Sequence, residues 1–210
     1  MPSDQRILLK ETRYTGWIYP ELLKESQCQQ YRKVIDQLAS ERGKSNTRYF
    51  QNIIKLPDVA QEIWKIIQKD LPSKLTRDDQ TYELVGLSDH ITTSRHQGKN
   101  IGIHKDEDVR IAIKGDRYDN LYCFYKLAIY LNDCSDPKNP KDLSGGTSFY
   151  DKKKRLIYTT KPVTGTGVLF DMREWHSGAF VPEDKTKYMM GLRPVYKKIK
   201  TRCPDCGRYH

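Results

Sequence analysis

The sequence predicts a mainly β protein, an antiparallel barrel or sandwich braced on one side by helices. Helical periodicity is confined to the stretch between Pro20 and Leu71. From Tyr82 onward, short β-rich runs recur, separated by Gly, Asn, Asp and Pro. Helices first and strands afterwards is the order of an antiparallel fold buttressed from one side. The expected organisation is a helical support region over residues 1–80, a β core over 81–200 and a short basic tail over 201–210. A chain of 210 residues is long enough to bury a substantial core as one domain.

The elements follow in order. Over Pro20–Glu41, Leu22, Leu23, Tyr31, Val34, Ile35 and Leu38 keep helical spacing, with Pro20 suited to a first turn and Gly43 to a stop. Over Pro57–Leu71, Val59, Ile63, Trp64, Ile66 and Ile67 repeat the pattern, which Pro72 ends. Both read as packing helices, and Trp64 either joins that packing or lines a pocket. Strands are expected at Tyr82–Leu87, Ile91–Arg95, Leu121–Leu131, Gly146–Tyr150, Arg155–Thr159, Thr166–Phe170 and Lys187–Tyr196. The charged, Gly-containing stretch from Asp106 to Asn120 reads as a loop, either a lid over a site or a plain connection.

Composition narrows the class. With 37% hydrophobic and 30% charged residues the chain is globular rather than disordered. No apolar run reaches the roughly 18 residues of a membrane span, so no membrane partner is expected. The first ten residues lack a signal-peptide core, and five cysteines form no disulfide framework. A reduced intracellular setting, cytoplasmic or nuclear, is therefore expected. The net charge of +10 attracts anions, nucleic acid included. Its clusters, Lys152–Arg155, Lys197, Lys198 and Lys200, with Arg202 and Arg208, read equally as solvated loops and a basic tail.

Chemistry begins in Ile101-Gly102-Ile103-His104-Lys105-Asp106. In a strand, residues i and i+2 share a face, so His104 and Asp106 present an imidazole nitrogen and a carboxylate side by side. Such a pair supplies two ligands of a 2-His-1-carboxylate triad on ferrous iron. A His-x-Asp tripeptide also arises by chance on surfaces. The third ligand must be a distant histidine, and the chain has five: His90, His96, His104, His176 and His210. His176 lies in the strand-rich half, after the strand-like alternation of Val168 and Phe170 and a polar turn. Lys187 opens a strand in which 187, 189, 191 and 193 share one face. Turned inward, its ammonium needs an anion; turned outward, it meets solvent.

These residues sit in a series of motifs that resembles the iron(II)- and 2-oxoglutarate-dependent dioxygenases, and within them the prolyl 4-hydroxylase-like branch. The series is Gly98…Ile101-x-x-His104-x-Asp106, then Ala128-Ile129-Tyr130-Leu131-Asn132-Asp133, then Gly145-Gly146-Thr147-Ser148-Phe149-Tyr150. Lys161-Pro162…Gly165-x-Gly167-Val168-Leu169-Phe170 and His176-Ser177-Gly178…Val181…Lys187-Tyr188 complete it. The resemblance covers residues from about Tyr82 to Lys198. It implies a double-stranded β-helix (a jelly roll, cupin-like) with Fe(II) held by His104, Asp106 and His176. It implies 2-oxoglutarate as cosubstrate, with Lys187 on its distal carboxylate, Tyr130 helping and Ser148 lining its pocket. Lys185 is the fallback, because the spacing from His176 is one residue longer than the family's. Dioxygen is the oxidant, succinate and CO2 the products, and ascorbate an optional accessory.

Two departures bear on substrate. Arg95 stands where the branch often has a tyrosine, and Arg193 where an aromatic often closes the last core strand. Either favours an acidic or hydrogen-bonding substrate, or serves as a peripheral salt-bridge partner. The resemblance points to hydroxylation of a protein side chain, with peptidyl proline first. The alternatives are a nucleic-acid base, suggested by the +10 charge, and a barrel kept only for binding. In the tail, Cys203-Pro204-Asp205-Cys206-Gly207 has a zinc-knuckle turn, with His210 nearby. A closed zinc site needs four ligands, to be completed by Cys134, Cys28 or a partner; otherwise the tail holds two free thiols.

Overall fold

The computed structural model describes residues 16–98, 100–110 and 121–199. The described residues open with β1 (Trp17–Tyr19), α1 (Glu25–Glu41), β2 (Tyr49–Lys55) and α2 (Pro57–Ile67), which a single 3-10 turn extends over Gln68–Asp70. Next come β3 (Lys74–Arg77), β4 (Gln80–Leu87), β5 (His90–Gln97), β6 (Ile101–His104), β7 (Val109–Arg110), β8 (Leu121–Cys123) and β9 (Tyr125–Tyr130). The last strands are β10 (Thr147–Tyr150), β11 (Leu156–Thr159), β12 (Gly167–Asp171), β13 (Trp175–Gly178), β14 (Thr186–Leu192) and β15 (Pro194–Lys198).

The strands form a large sheet ordered β1-β12-β9-β14-β5-β2, a small one ordered β11-β10-β13-β6, and a third ordered β3-β4-β15-β8-β7. Every strand pair among the described residues is antiparallel, as in Thr186↔Gln97 between β14 and β5 and Gly167↔Ile129 between β12 and β9. The large and small sheets enclose a common interior, in which Ala128, Tyr130, Val168 and Phe170 of one meet Phe149 of the other. This is the expected jelly roll.

The large sheet is buried on both faces, which is why β9 reads as a continuous apolar run from Leu127 to Tyr130 rather than an alternating one. Leu127 and Ile129 point outward against the helices, together with Ile35 and Ala39 of α1 and Ala60, Ile63 and Ile67 of α2. Each fully buried aliphatic side chain there contributes about 1.5–3 kcal/mol. Lys126, Ala128 and Tyr130 alternate with them, with Ala128 and Tyr130 in the barrel interior.

Four local expectations change. α1 starts at Glu25, not at Pro20, because the Lys24 N–H donates to the Gln27 side chain at 2.9 Å and sets the first turn there. Leu22 and Leu23 are buried all the same, in the preceding turn, where the Leu23 N–H donates to the Gly165 carbonyl at 3.1 Å. The segment before residue 81 is not purely helical. β2 pairs with β5 from Tyr49↔His96 to Lys55↔His90, and β1 and β3 join the outer strands. The long runs Leu121–Leu131 and Lys187–Tyr196 each break in two, at Phe124 and at Arg193. At Phe124 the backbone passes from the third sheet into the large one and at Arg193 it passes back, and Pro194, which lacks a ladder donor, accompanies the second switch.

Candidate metal centre

The small sheet places the first two ring systems. β13 pairs with β6 so that His176 lies directly opposite His104, with ring centroids 4.3 Å apart. Asp106 falls two residues beyond the end of β6, not within the strand as the spacing predicts. Its N–H donates to the Met172 carbonyl at 2.9 Å, which turns its carboxylate back toward the two imidazoles. Asp106 Oδ1 stands 3.5 Å from His104 Nε2, and Oδ2 stands 3.7 Å from His176 Nε2. One ligand atom from each residue lies within 4.8 Å of the others.

The donor chemistry suits a divalent cation. His104 Nδ1 donates to the Gly102 carbonyl at 2.8 Å, and His176 Nδ1 to the Glu174 carbonyl at 2.9 Å. A carbonyl only accepts, so each Nδ1 carries the hydrogen and each Nε2 turns its lone pair toward Asp106. Burial pushes the His176 pKa down to about 4, against the pull of the nearby Asp106, so its imidazole is neutral at physiological pH. Burial opposes ionisation of Asp106, but the Lys126 ammonium, 2.8 Å from Oδ2, and the two imidazoles outweigh it and hold the carboxyl below its ordinary range. Two neutral imidazoles and one carboxylate are the donor set of a 2-His-1-carboxylate iron site.

A cavity of about 140 Å³ opens from the imidazoles into the barrel. Lys187 lines it, almost fully buried, with Nζ 3.5 Å from the Gly146 carbonyl and 5.3 Å from the centre of the Tyr130 ring. No carboxylate pairs with this ammonium among the described residues, and burial pushes its pKa down to about 8. A shift of that size costs about 3 kcal/mol at neutral pH, which a bound anion offsets. The Gly146 backbone can approach this closely only as glycine, since an added Cβ would stand 2.1 Å from the Thr160 carbonyl oxygen.

The other expected residues divide. Lys185 does not enter the cavity, because its ammonium donates to the Cys134 and Ser135 carbonyls at 2.9 and 3.2 Å. Tyr130 is fully buried with its ring centre 5.3 Å from Lys187 Nζ, and it offers no free hydroxyl. Its hydroxyl donates to Thr147 Oγ1 at 2.7 Å and pairs with Thr160 Oγ1 at 2.5 Å. Ser148 faces away and pairs with Thr159 Oγ1 at 2.9 Å; Thr147, one residue earlier, lines the cavity instead. Arg95 is a structural clamp, donating to Asp36 at 2.8 Å and to the carbonyls of Lys44 and Ser45. Arg193 does line the cavity.

Sequence reasoning missed Lys126, Thr147 and His96, all cavity-lining. Counting back in steps of two from Tyr130 passes Ala128 and reaches Lys126, and one such step from Phe149 reaches Thr147. His96 sits across from Lys187 in the sheet, its ring 4.7 Å from that of Tyr49. Trp64 packs on the helical core and also borders a separate surface cavity beside β4. Most of the expected loop, residues 111–120, and the Cys203, Cys206 and His210 tail lie outside the described residues. Cys28 and Cys134, suggested to complete a zinc site, are buried free thiols.

No family model and no curated protein sequence matches this chain. Solved structures do. A viral collagen prolyl hydroxylase from Paramecium bursaria Chlorella virus-1, in complex with 2-oxoglutarate, superposes with a TM-score of 0.55 at 18% identity, over 87% of this chain and 95% of that one. A Pseudomonas putida prolyl-4-hydroxylase gives 0.54 at 12% identity, over 89% and 94%. A Trichoplax adhaerens prolyl hydroxylase, in complex with a peptide fragment of hypoxia inducible factor, gives 0.51 at 16% identity, over 87% and 83%. The chain shares the double-stranded β-helix fold of these prolyl hydroxylase structures.

Proposed function

We propose that the protein is an iron(II)- and 2-oxoglutarate-dependent oxygenase that hydroxylates a protein side chain, with peptidyl proline as the substrate residue. The observation that carries this is the pairing of two features in one cavity: three convergent metal-type donors, and a buried lysine with no carboxylate to meet it. Structural neighbours that act on prolyl residues, one of them holding a peptide, support the substrate class.

Ferrous iron on His104, Asp106 and His176 would supply the redox chemistry that couples oxidative decarboxylation of 2-oxoglutarate by dioxygen to substrate hydroxylation, with succinate and CO2 as products. The chain's own contribution is position and charge. The Gly102 and Glu174 carbonyls hold both imidazoles in the ligating tautomer. Lys126 keeps Asp106 ionised and orients it. Lys187 receives the distal carboxylate of 2-oxoglutarate, with Thr147 lining the same cavity and the Tyr130 ring packed 5.3 Å from the ammonium. The test is Fe(II)-dependent succinate release against a prolyl peptide library, read by mass spectrometry for the gain of one oxygen. His104→Ala and Asp106→Ala should abolish both products; turnover that survives His104→Ala would overturn the assignment.

A further inference from the structure

We infer that the substrate presents a carboxylate close to the carbon that is oxidised, and that Arg193 reads it. This rests on the oxygenase reading above and narrows its substrate. Arg193 follows the last residue of β14 and lines the same cavity as His104 and His176. Lys187 stands near the other end of that strand, six residues or about 20 Å of backbone away. Arg193 Nε is buried and has no hydrogen-bond partner. No carboxylate pairs with it among the described residues.

The other arginines that are largely withdrawn from water do not share this condition. Arg77 pairs with Asp171 at 2.6 Å, and Arg95 with Asp36 at 2.8 Å. Partly buried Arg173 pairs with both Asp78 and Asp108. Around the cavity the charges also fail to balance. Asp106 is matched by Lys126, and Lys187 suits the distal carboxylate of 2-oxoglutarate. A metal ion held by His104, Asp106 and His176 would take the near carboxylate of 2-oxoglutarate. Arg193 alone is left over, at the end of the cavity away from Lys187. A guanidinium fork with a buried, unmet donor binds a carboxylate through two parallel hydrogen bonds. In a prolyl substrate, the group comes either from a C-terminal carboxylate or from an acidic side chain beside the proline.

Two matched pairs of peptides separate these sources: Gly-Ala-Pro as free acid and as amide, and an internal Asp-Pro peptide with its Asn-Pro counterpart, both amidated. Calorimetry on the Fe(II)- and 2-oxoglutarate-loaded protein, held free of oxygen, should show at least one acidic member binding tenfold or more tighter than its neutral partner. That preference should fall below twofold in Arg193→Met and return in part in Arg193→Lys, which keeps the charge. Failure of both acidic peptides to be preferred by the wild-type protein would overturn the proposal. So would a preference untouched in Arg193→Met, or a tenfold loss of 2-oxoglutarate affinity in that variant, which would assign Arg193 to the cosubstrate. The oxygenase reading fails by a different sign: no Fe(II)-dependent 2-oxoglutarate binding and no succinate release in the wild-type protein. The proposal then falls with it.

Discussion

A lysine held in a dry cavity changes its charge with pH near neutrality, and Lys187 is such a residue. It is cationic below about 8 and neutral above. Affinity for the 2-oxoglutarate dianion should therefore fall as pH rises through about 8, while bound dianion moves that boundary upward. Lys187→Ala should raise the 2-oxoglutarate KM roughly ten- to a hundredfold, the worth of a buried charged hydrogen bond. Tyr130→Phe should raise it much less, because that hydroxyl is committed to Thr147 and Thr160; its loss should appear as about 1 kcal/mol of stability in denaturant titration. His104 and Asp106 stood out in the sequence by their i, i+2 spacing, and His176 and Lys187 by their places in the motif series. Lys126 did not, since a lysine in an apolar strand gives no sign, in sequence alone, that an aspartate just past the end of β6 will meet it.

Strands punish an error of one residue. Thr147 and Ser148 are chemically alike neighbours, and the ladder alone decides which enters the cavity. Arg95 and Arg193 raised the same question in the sequence, yet one faces α1 and the other the barrel interior. β2 escaped notice because its inner residues, Gln51 and Asn52, interrupt any apolar alternation, while an edge strand tolerates them. Element-level contacts set two further expectations. Gly165→Ala would place a Cβ 2.1 Å from the Leu23 carbonyl oxygen, at a backbone φ of +79°. Its cost should be about 3 kcal/mol or more, read as a lowered denaturation midpoint. Ile63→Ala on α2 empties a fully buried site between helix and sheet and should cost about 2–5 kcal/mol with little effect on the 2-oxoglutarate KM.

For the molecule as a whole, an ion bound to the folded state alone adds to its stability. At a hundredfold excess over its Kd, ferrous or manganous ion should add about 2.7 kcal/mol, or roughly 5–10 °C in Tm for a domain of this size. Scanning calorimetry should show that increment in the wild-type protein and not in Asp106→Ala. It should also vanish as pH falls toward 4, where His176 takes up a proton. An antiparallel barrel or sandwich braced by helices was evident in the order of helices and strands, and the motif resemblance narrowed it to a jelly roll; the participation of the first strands in the outer sheets was not evident.

That participation also sets the timing of assembly. Trp17 finds its ladder partner at Leu169, and β12 reaches the rest of its sheet through β9, which in turn needs β14. A nascent chain therefore emerges from the ribosome with its opening strand unmatched until nearly all of the described sequence has been synthesised. Refolding should be slow, on the scale of β-rich proteins dominated by distant pairings, and the early, half-made chain is the form most exposed to aggregation.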